Sequence, residues 1–235
     1  YTYQAKARNL FDLGDVEKLA ALKSPLYYRV LLKYLPASKS AQIYEVACGP
    51  GLFLKWLRKH GYENISGSDS SKAQIDLAKL GKLPAILADS LVELASMPDC
   101  SKDCIVGLDF YEHLPKEIML DFIVSAHRVL RPNGKLILRG PNGDSPVIGR
   151  SLFNDITHQW ALTSVAFRAL LEMLGFQNIV FEDDALASIE RNRSLKLPIA
   201  WLAQIFIKFL LRSATREDIK CLSASFFVIA SKRET

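Results

Sequence analysis

Short apolar runs with β-type composition alternate along the chain with longer stretches whose apolar residues recur at helical spacing. The runs fall at Gln42–Ala47, Asn64–Asp69, Pro84–Ala88, Cys104–Phe110, Lys135–Arg139, Gln177–Glu182 and Ser225–Ala230. Helical patterns lie between them at Gly51–His60, Ser71–Leu80, Lys116–Leu130 and Ser164–Leu174. In Lys116–Leu130, Ile118, Phe122, Val129 and Leu130 share a helical face, and Arg131-Pro132-Asn133-Gly134 ends it. Strand and helix in alternation predict a mainly parallel sheet covered on both faces. Residues 1–36 read as helices ahead of the first strand, stopped at Pro36, and Thr163 or Ser164 is the expected N-cap of the helix that follows.

Composition narrows the class without naming it. The 235 residues suit one α/β domain; 49% are hydrophobic and 23% charged, an ordinary globular mix. The net charge of +5 is spread rather than gathered in a block, so no nucleic-acid partner is expected. Cys48, Cys100, Cys104 and Cys221 form no metal-ligand pattern and read as reduced thiols of a cytoplasmic protein, possible contact with the inner membrane face aside. The first residues are polar, without the apolar core of a secretion signal, and the chain starts at Tyr1 rather than Met, so residues ahead of it are expected.

The most informative segment is Ile43-Tyr44-Glu45-Val46-Ala47-Cys48-Gly49-Pro50-Gly51, an apolar strand entering a Gly-rich turn that opens a helix. A dinucleotide fingerprint wants a third glycine where Leu54 stands. Glu45 lies inside the strand four residues before Gly49, placed to organise the turn and reach a cationic ligand.

Glu45 through Gly51 resembles motif I of the class I S-adenosylmethionine-dependent methyltransferases, with Ala47 in place of the commoner glycine. Four further segments resemble that family in order. Gly67-Ser68-Asp69, next to Ser70, ends the second strand with an acid for the ribose hydroxyls. Ala88-Asp89-Ser90 resembles the adenine-side motif. Leu108-Asp109-Phe110-Tyr111-Glu112-His113-Leu114 resembles the loop after strand four in small-molecule methyltransferases, and Val129 through Leu136 the helix-to-strand junction before strand five. The resemblance spans about residues 40–185 and 225–230. It implies a Rossmann-like, doubly wound, seven-stranded sheet with the last strand antiparallel. One domain then covers 1–235, with a helical cap at 1–36 that carries Tyr27 and Tyr28 toward the acceptor or into the packing. It also implies S-adenosylmethionine as cofactor, held by Glu45, Ala47, Cys48, Gly49, Gly51, Asp69, Ser70, Asp89, Ser90, Asp109 and Phe110.

Methyl transfer needs alignment, and a base where the acceptor is a hydroxyl. The base candidates are His113, in the loop after strand four, and His158. His158 lies in Asp155-Ile156-Thr157-His158, which resembles a segment of methyltransferases from polysaccharide and O-antigen gene clusters. Each has a structural alternative, and His60 and His127 are read as structural. The Asn/Asp-Pro-Pro-aromatic motif of nucleobase amino methylation is absent. So is the Asp-Asn pair of metal-dependent O-methylation, and no metal is expected. The reading is O-methylation of a saccharide or other small acceptor. The alternatives are C- or N-methylation of a quinone- or lipid-type metabolite, and a non-catalytic cofactor-binding module.

Residues 191–220 form an insertion before the last strand. Leu197–Leu211 is apolar apart from a stripe of Gln204 and Lys208, which Arg212 continues, and is flanked by Arg191, Arg193, Lys196 and Arg216. It is too short and polar to span a membrane. Burial over the acceptor, a homodimer contact and peripheral membrane contact remain open for it.

Overall fold

One sheet runs through the protein, built from β1 (Ile43–Val46), β2 (Ile65–Asp69), β3 (Ala85–Leu87), β4 (Lys102–Leu108), β5 (Leu130–Pro141), β6 (Phe176–Asp183) and β7 (Ser225–Lys232). Its order is β3-β2-β1-β4-β5-β7-β6. The first five strands run parallel, and β7 is antiparallel to both β5 and β6. The structure is a computed structural model that describes residues 12–184, 197–216 and 219–234.

Helices α1 (Leu13–Arg29), α2 (Leu52–Lys59), α3 (Lys72–Leu80), α4 (Ser90–Ser96), α5 (Lys116–Val129), α6 (Gly149–Leu152), α7 (Ser164–Met173) and α8 (Leu197–Thr215) complete the element order with two 3₁₀ turns at Leu31–Lys33 and Tyr111–His113. Strand periodicity divides the core between two faces. Ile43, Cys104, Val106, Ile137 and Phe227 pack with Phe53, Leu57 and Ile75 of α2 and α3 on one side. Tyr44, Ile105, Leu136, Leu138 and Phe226 pack with Phe122, Ile123 and Phe167 of α5 and α7 on the other. Both faces are covered, which is why the middle of the central strands, Cys104–Val106 and Leu136–Leu138, is apolar on both sides.

The structure departs from the sequence expectation in local ways. β5 begins at Leu130 rather than Lys135, so the Arg131–Gly134 turn lies inside a strand whose register slips opposite Lys102 and Cys104. α4 was not expected; Asp89 caps it by accepting from the N–H groups of Leu91 (2.8 Å) and Val92 (3.3 Å). Thr163 is the N-cap of α7, accepting from Ala166 N–H. Cys48, Cys104 and Cys221 are buried, but Cys100 is exposed.

Ahead of β1, the described residues form α1 and the Leu31–Lys33 turn. Val16 of α1, with Leu19 and Ala20 beside it, packs on Leu52 and Leu77, and Glu17 pairs with Lys55. Residues 1–11 and the side chains of Tyr27 and Tyr28 lie outside the described residues. The insertion contains α8, and no described helix is long and apolar enough to cross a membrane. Leu202, Ile205, Phe206, Phe209 and Leu210 follow one another at helical spacing and are exposed, so of the three readings left open, burial within the chain does not hold for these side chains. Arg191, Arg193 and Lys196 lie outside the described residues.

Candidate active site

The strand order reverses between β1 and β4, and in open α/β sheets ligands bind outside the carboxyl ends of strands at such a point. The segments read as cofactor-binding all leave those carboxyl ends: 47–51 after β1, Asp69 and Ser70 at β2, Asp89 and Ser90 after β3, Asp109 and Phe110 after β4.

The turn after β1 is held in an uncommon backbone form. Ala47, Gly49 and Gly51 have φ of 51°, 54° and 77°, a region that costs most side chains about 1–2 kcal/mol. Gly51 is favoured on two counts, since a Cβ there would also lie 2.5 Å from Leu83 Cδ1 and displace it. Asp69 ties the turn to β2: Gly49 N–H donates to its Oδ2 at 2.9 Å and Ser71 N–H to its Oδ1 at 2.8 Å. Burial raises the Asp69 carboxyl above its ordinary value, against the pull of those two N–H donors.

Glu45 sits below the turn, buried within β1. Desolvation pushes its carboxyl well above the usual carboxylate range; the charge of Asp69 adds to this and the Leu54 N–H opposes it. Its Oε2 is buried and accepts no hydrogen bond among the described residues, as is true of Gln74 Oε1. Space over Gly49 is open, with Gln74 Oε1 the nearest atom at 3.8 Å from where a Cβ would be. Unsatisfied buried acceptors beneath an open glycine turn fit a ligand that brings both polar donors and positive charge. Cys48 is buried against Gly67, and its thiol is pushed up by burial.

Other predicted residues have firm internal roles. Ser90 Oγ accepts from Ala47 N–H (3.0 Å) and from Ser68 Oγ (2.8 Å) and donates to Ser68 O (2.9 Å), so its hydroxyl is spent fixing the turn. Asp89 caps α4 through Oδ1. Phe110 is a core side chain, edge-on to Phe122 at 5.3 Å. Ser70 is exposed. Asp109, at φ 56°, is bound by Arg139 of β5, which also binds Asp184, and by Lys23 of α1 at 3.6 Å. Sequence reading missed Lys23, Arg139 and Asp184. A basic residue late in β5 and an acid just past β6 were visible signals, but spacing does not show that β7 lies between those strands.

Beyond β4 the two candidate histidines come together. His113 and His158 stack edge to face at 4.7 Å. The segment 155–160 is stitched to 112–114: Gln159 N–H donates to Glu112 O (2.8 Å), Gln159 Nε2 to His113 O (3.0 Å) and Trp160 Nε1 to Leu114 O (2.7 Å). His158 Nδ1 donates to Ser151 O at 2.9 Å, which leaves the lone pair on Nε2, 3.9 Å from Glu112 Oε1. Thr157 Oγ1 donates to Asp155 (2.6 Å) and accepts from His113 Nδ1 (2.9 Å), so His113 too carries its lone pair on Nε2. Glu112, not singled out from sequence although it precedes His113, is buried at 2% exposure. It packs over Gly140, where a Cβ would stand 2.9 Å from its Oε2 and 2.4 Å from the Tyr111 ring. His60 bonds Trp56 O and His127 bonds Gly175 O, away from this group.

Comparison with known proteins fits this geometry. A family model described as a methyltransferase domain matches residues 20–180. EEF1A lysine methyltransferase 2 of Danio rerio is 25% identical over 154 residues, 60% of this chain and 65% of that protein. A tRNA U34 carboxymethyltransferase of Pseudoalteromonas translucida is 23% identical over 203 residues, 82% of this chain and 61% of that protein. The chain thus spans less than two thirds of the length of either relative. Among solved structures, a SAM-dependent methyltransferase of Archaeoglobus fulgidus superposes with a TM-score of 0.70 at 20% identity, covering 91% of this chain and 94% of that one. Phosphoethanolamine N-methyltransferase 2 of Haemonchus contortus, in complex with S-adenosyl-L-methionine, gives 0.60 at 14% identity over 88% of this chain and 52% of that one.

Proposed function

Because this chain belongs to the class I S-adenosylmethionine-dependent methyltransferases, we propose that it methylates a hydroxyl of a saccharide or similar small acceptor held beside Glu112, His113 and His158. The enzyme's cofactor is S-adenosylmethionine, which supplies when bound a methyl group on a sulfonium. The 47–51 turn, Glu45 and Asp69 are the residues that would hold it, and their orphaned acceptors and open glycine surface fit its charge and polar groups.

The observation that carries the acceptor reading is the tautomer of His158. With Nδ1–H fixed on the Ser151 carbonyl, Nε2 is a base, and the Glu112 carboxyl at 3.9 Å stands to balance the imidazolium that forms. His158 Nε2 would take the acceptor's hydroxyl proton, leaving its oxygen free to attack the methyl group that the cofactor would supply. Thr157 and Asp155 hold the His113 ring beside it, and the 112–114 stitching fixes both rings before acceptor arrives. The two relatives named above act, by their names, on a protein lysine and a tRNA, so the class of acceptor is what a test has to decide.

The chain is incubated with S-adenosylmethionine carrying a labelled methyl, against sugars and nucleotide sugars, small amines, bulk tRNA and protein extract. The expected result is label on saccharide oxygen, with His158→Ala lowering the rate by about 10²–10⁴-fold while cofactor affinity is unchanged. Label on tRNA or protein alone, or a His158→Ala variant at full rate, overturns the acceptor reading.

A further inference from the structure

We propose that Glu112, His113 and His158 form a binding site for a divalent transition-metal ion, zinc or a neighbour of similar ligand preference, on the acceptor side of the active site. One donor atom from each of the three side chains lies within 4.8 Å of the other two. Two imidazoles and one carboxylate are a donor set such ions accept while keeping positions open for other ligands.

The surroundings of the two rings are an independent observation. A histidine that ligates a metal commonly donates its other ring N–H to a carbonyl or, directly or through a relay, to a carboxylate, which fixes the tautomer and orients the ring. Both rings here have such a partner: His158 Nδ1 on Ser151 O, and His113 Nδ1 on Thr157 Oγ1, whose own proton goes to Asp155. Glu112 is buried and the two histidines half-buried, which limits competition from water. Ligands about 2.1 Å from a tetrahedral ion stand about 3.4 Å apart. His158 Nε2 and Glu112 Oε1, at 3.9 Å, need only a small side-chain rotation to reach that.

The site departs from the expectation that no metal is involved, which rested on the absence of an Asp-Asn pair; this is a different donor set. It rests on the acceptor reading above only in its consequence. With an ion there the His158 Nε2 lone pair would be a ligand and no longer a base; the ion would instead lower the proton affinity of a coordinated acceptor hydroxyl, whose proton would pass to solvent.

The test is a titration of the purified chain with Co²⁺, read by visible absorption, with Zn²⁺ as competitor and no acceptor present. The expected result is one bound ion with d–d bands displaced by Zn²⁺, and loss of those bands in His113→Ala and in His158→Ala but not in His127→Ala. Thr157→Val, which removes the hydroxyl that links His113 to Asp155, is expected to weaken binding by about 10–100-fold. Circular dichroism confirms that each variant is folded. No bands in the wild-type chain, or bands that survive in both histidine variants, overturn the site. The readout needs no turnover: bands without saccharide methylation would sink only the acceptor reading, whereas full activity after chelation with no bands would sink only the metal site.

Discussion

The backbone N–H of Gly49 donates to Asp69 Oδ2 at 2.9 Å, so the turn after β1 is pinned by the last residue of β2. The same carboxylate accepts from Ser71 N–H. Asp69→Asn offers one acceptor oxygen where two are used, leaving a donor unpaired or facing an NH₂. The expected cost is about 1–3 kcal/mol of stability, with cofactor affinity weakened about tenfold or more. Denaturant unfolding and calorimetric titration with S-adenosylmethionine check both, and unchanged affinity would remove Asp69 from the binding site.

Glu45 predicts a pH dependence. Its carboxyl keeps its proton well above the ordinary 4.5, so between those two values the folded chain holds a proton that the unfolded chain has released. Ligand-free stability therefore falls as pH rises through that window. Glu45→Gln removes this contribution, so the variant gains stability relative to wild type as pH is raised above about 4.5. Urea midpoints across pH 4 to 8 measure it. Parallel curves for the two proteins would mean that Glu45 is already ionised.

Gly51→Ala is expected to cost roughly 2–4 kcal/mol, from positive φ and from collision with Leu83. In a Leu83→Ala background the collision disappears and only the backbone part remains. The double-mutant cycle should therefore show coupling of about 1 kcal/mol or more. Simple additivity would place the whole cost in the backbone.

Much of this was legible in the sequence. The seven strands and four of the helices between them followed from periodicity, and motif order located the turn after β1 and the acids at the strand ends. Two kinds of feature were not legible. Asp89 and Ser90 read as ligand contacts, and the sequence did not show that their side chains also cap α4 and fix the 47–51 turn, because a short polar side chain has the same appearance in either role. Glu112 was hidden because its neighbours in space, His158 and Gly140, lie far along the chain and are brought to it by β5 and the 155–160 segment.

Arg139 is nearly buried between Asp109 and Asp184. Arg139→Met leaves two carboxylates with Lys23 the one remaining cation paired with them among the described residues, and the expected loss is roughly 2–4 kcal/mol. Because Lys23 meets Asp109, hydrogen exchange in α1 should rise as well. A variant with wild-type exchange there would mean that the cap docks through Val16 and its neighbours alone.

The exposed stripe on α8 gives a contrasting expectation. Phe206→Ser with Phe209→Ser should change stability by no more than about 0.5 kcal/mol, since neither side chain is buried. A larger loss, with a change in elution volume on gel filtration, would show that a second copy covers them.

The place of β7 has a consequence for the order of events at the ribosome. Among the described residues β6 pairs only with β7, and β7 is the strand that joins it to β5. Residues 176–183 therefore leave the exit tunnel with nothing to pair with and wait until residues 225–232 are made. Closing that long-range pairing is a late step, expected to be slow. During the wait an apolar strand edge stands open to other chains and to chaperones. A shortened C-terminus would leave it open for good, with β5 exposed beside it.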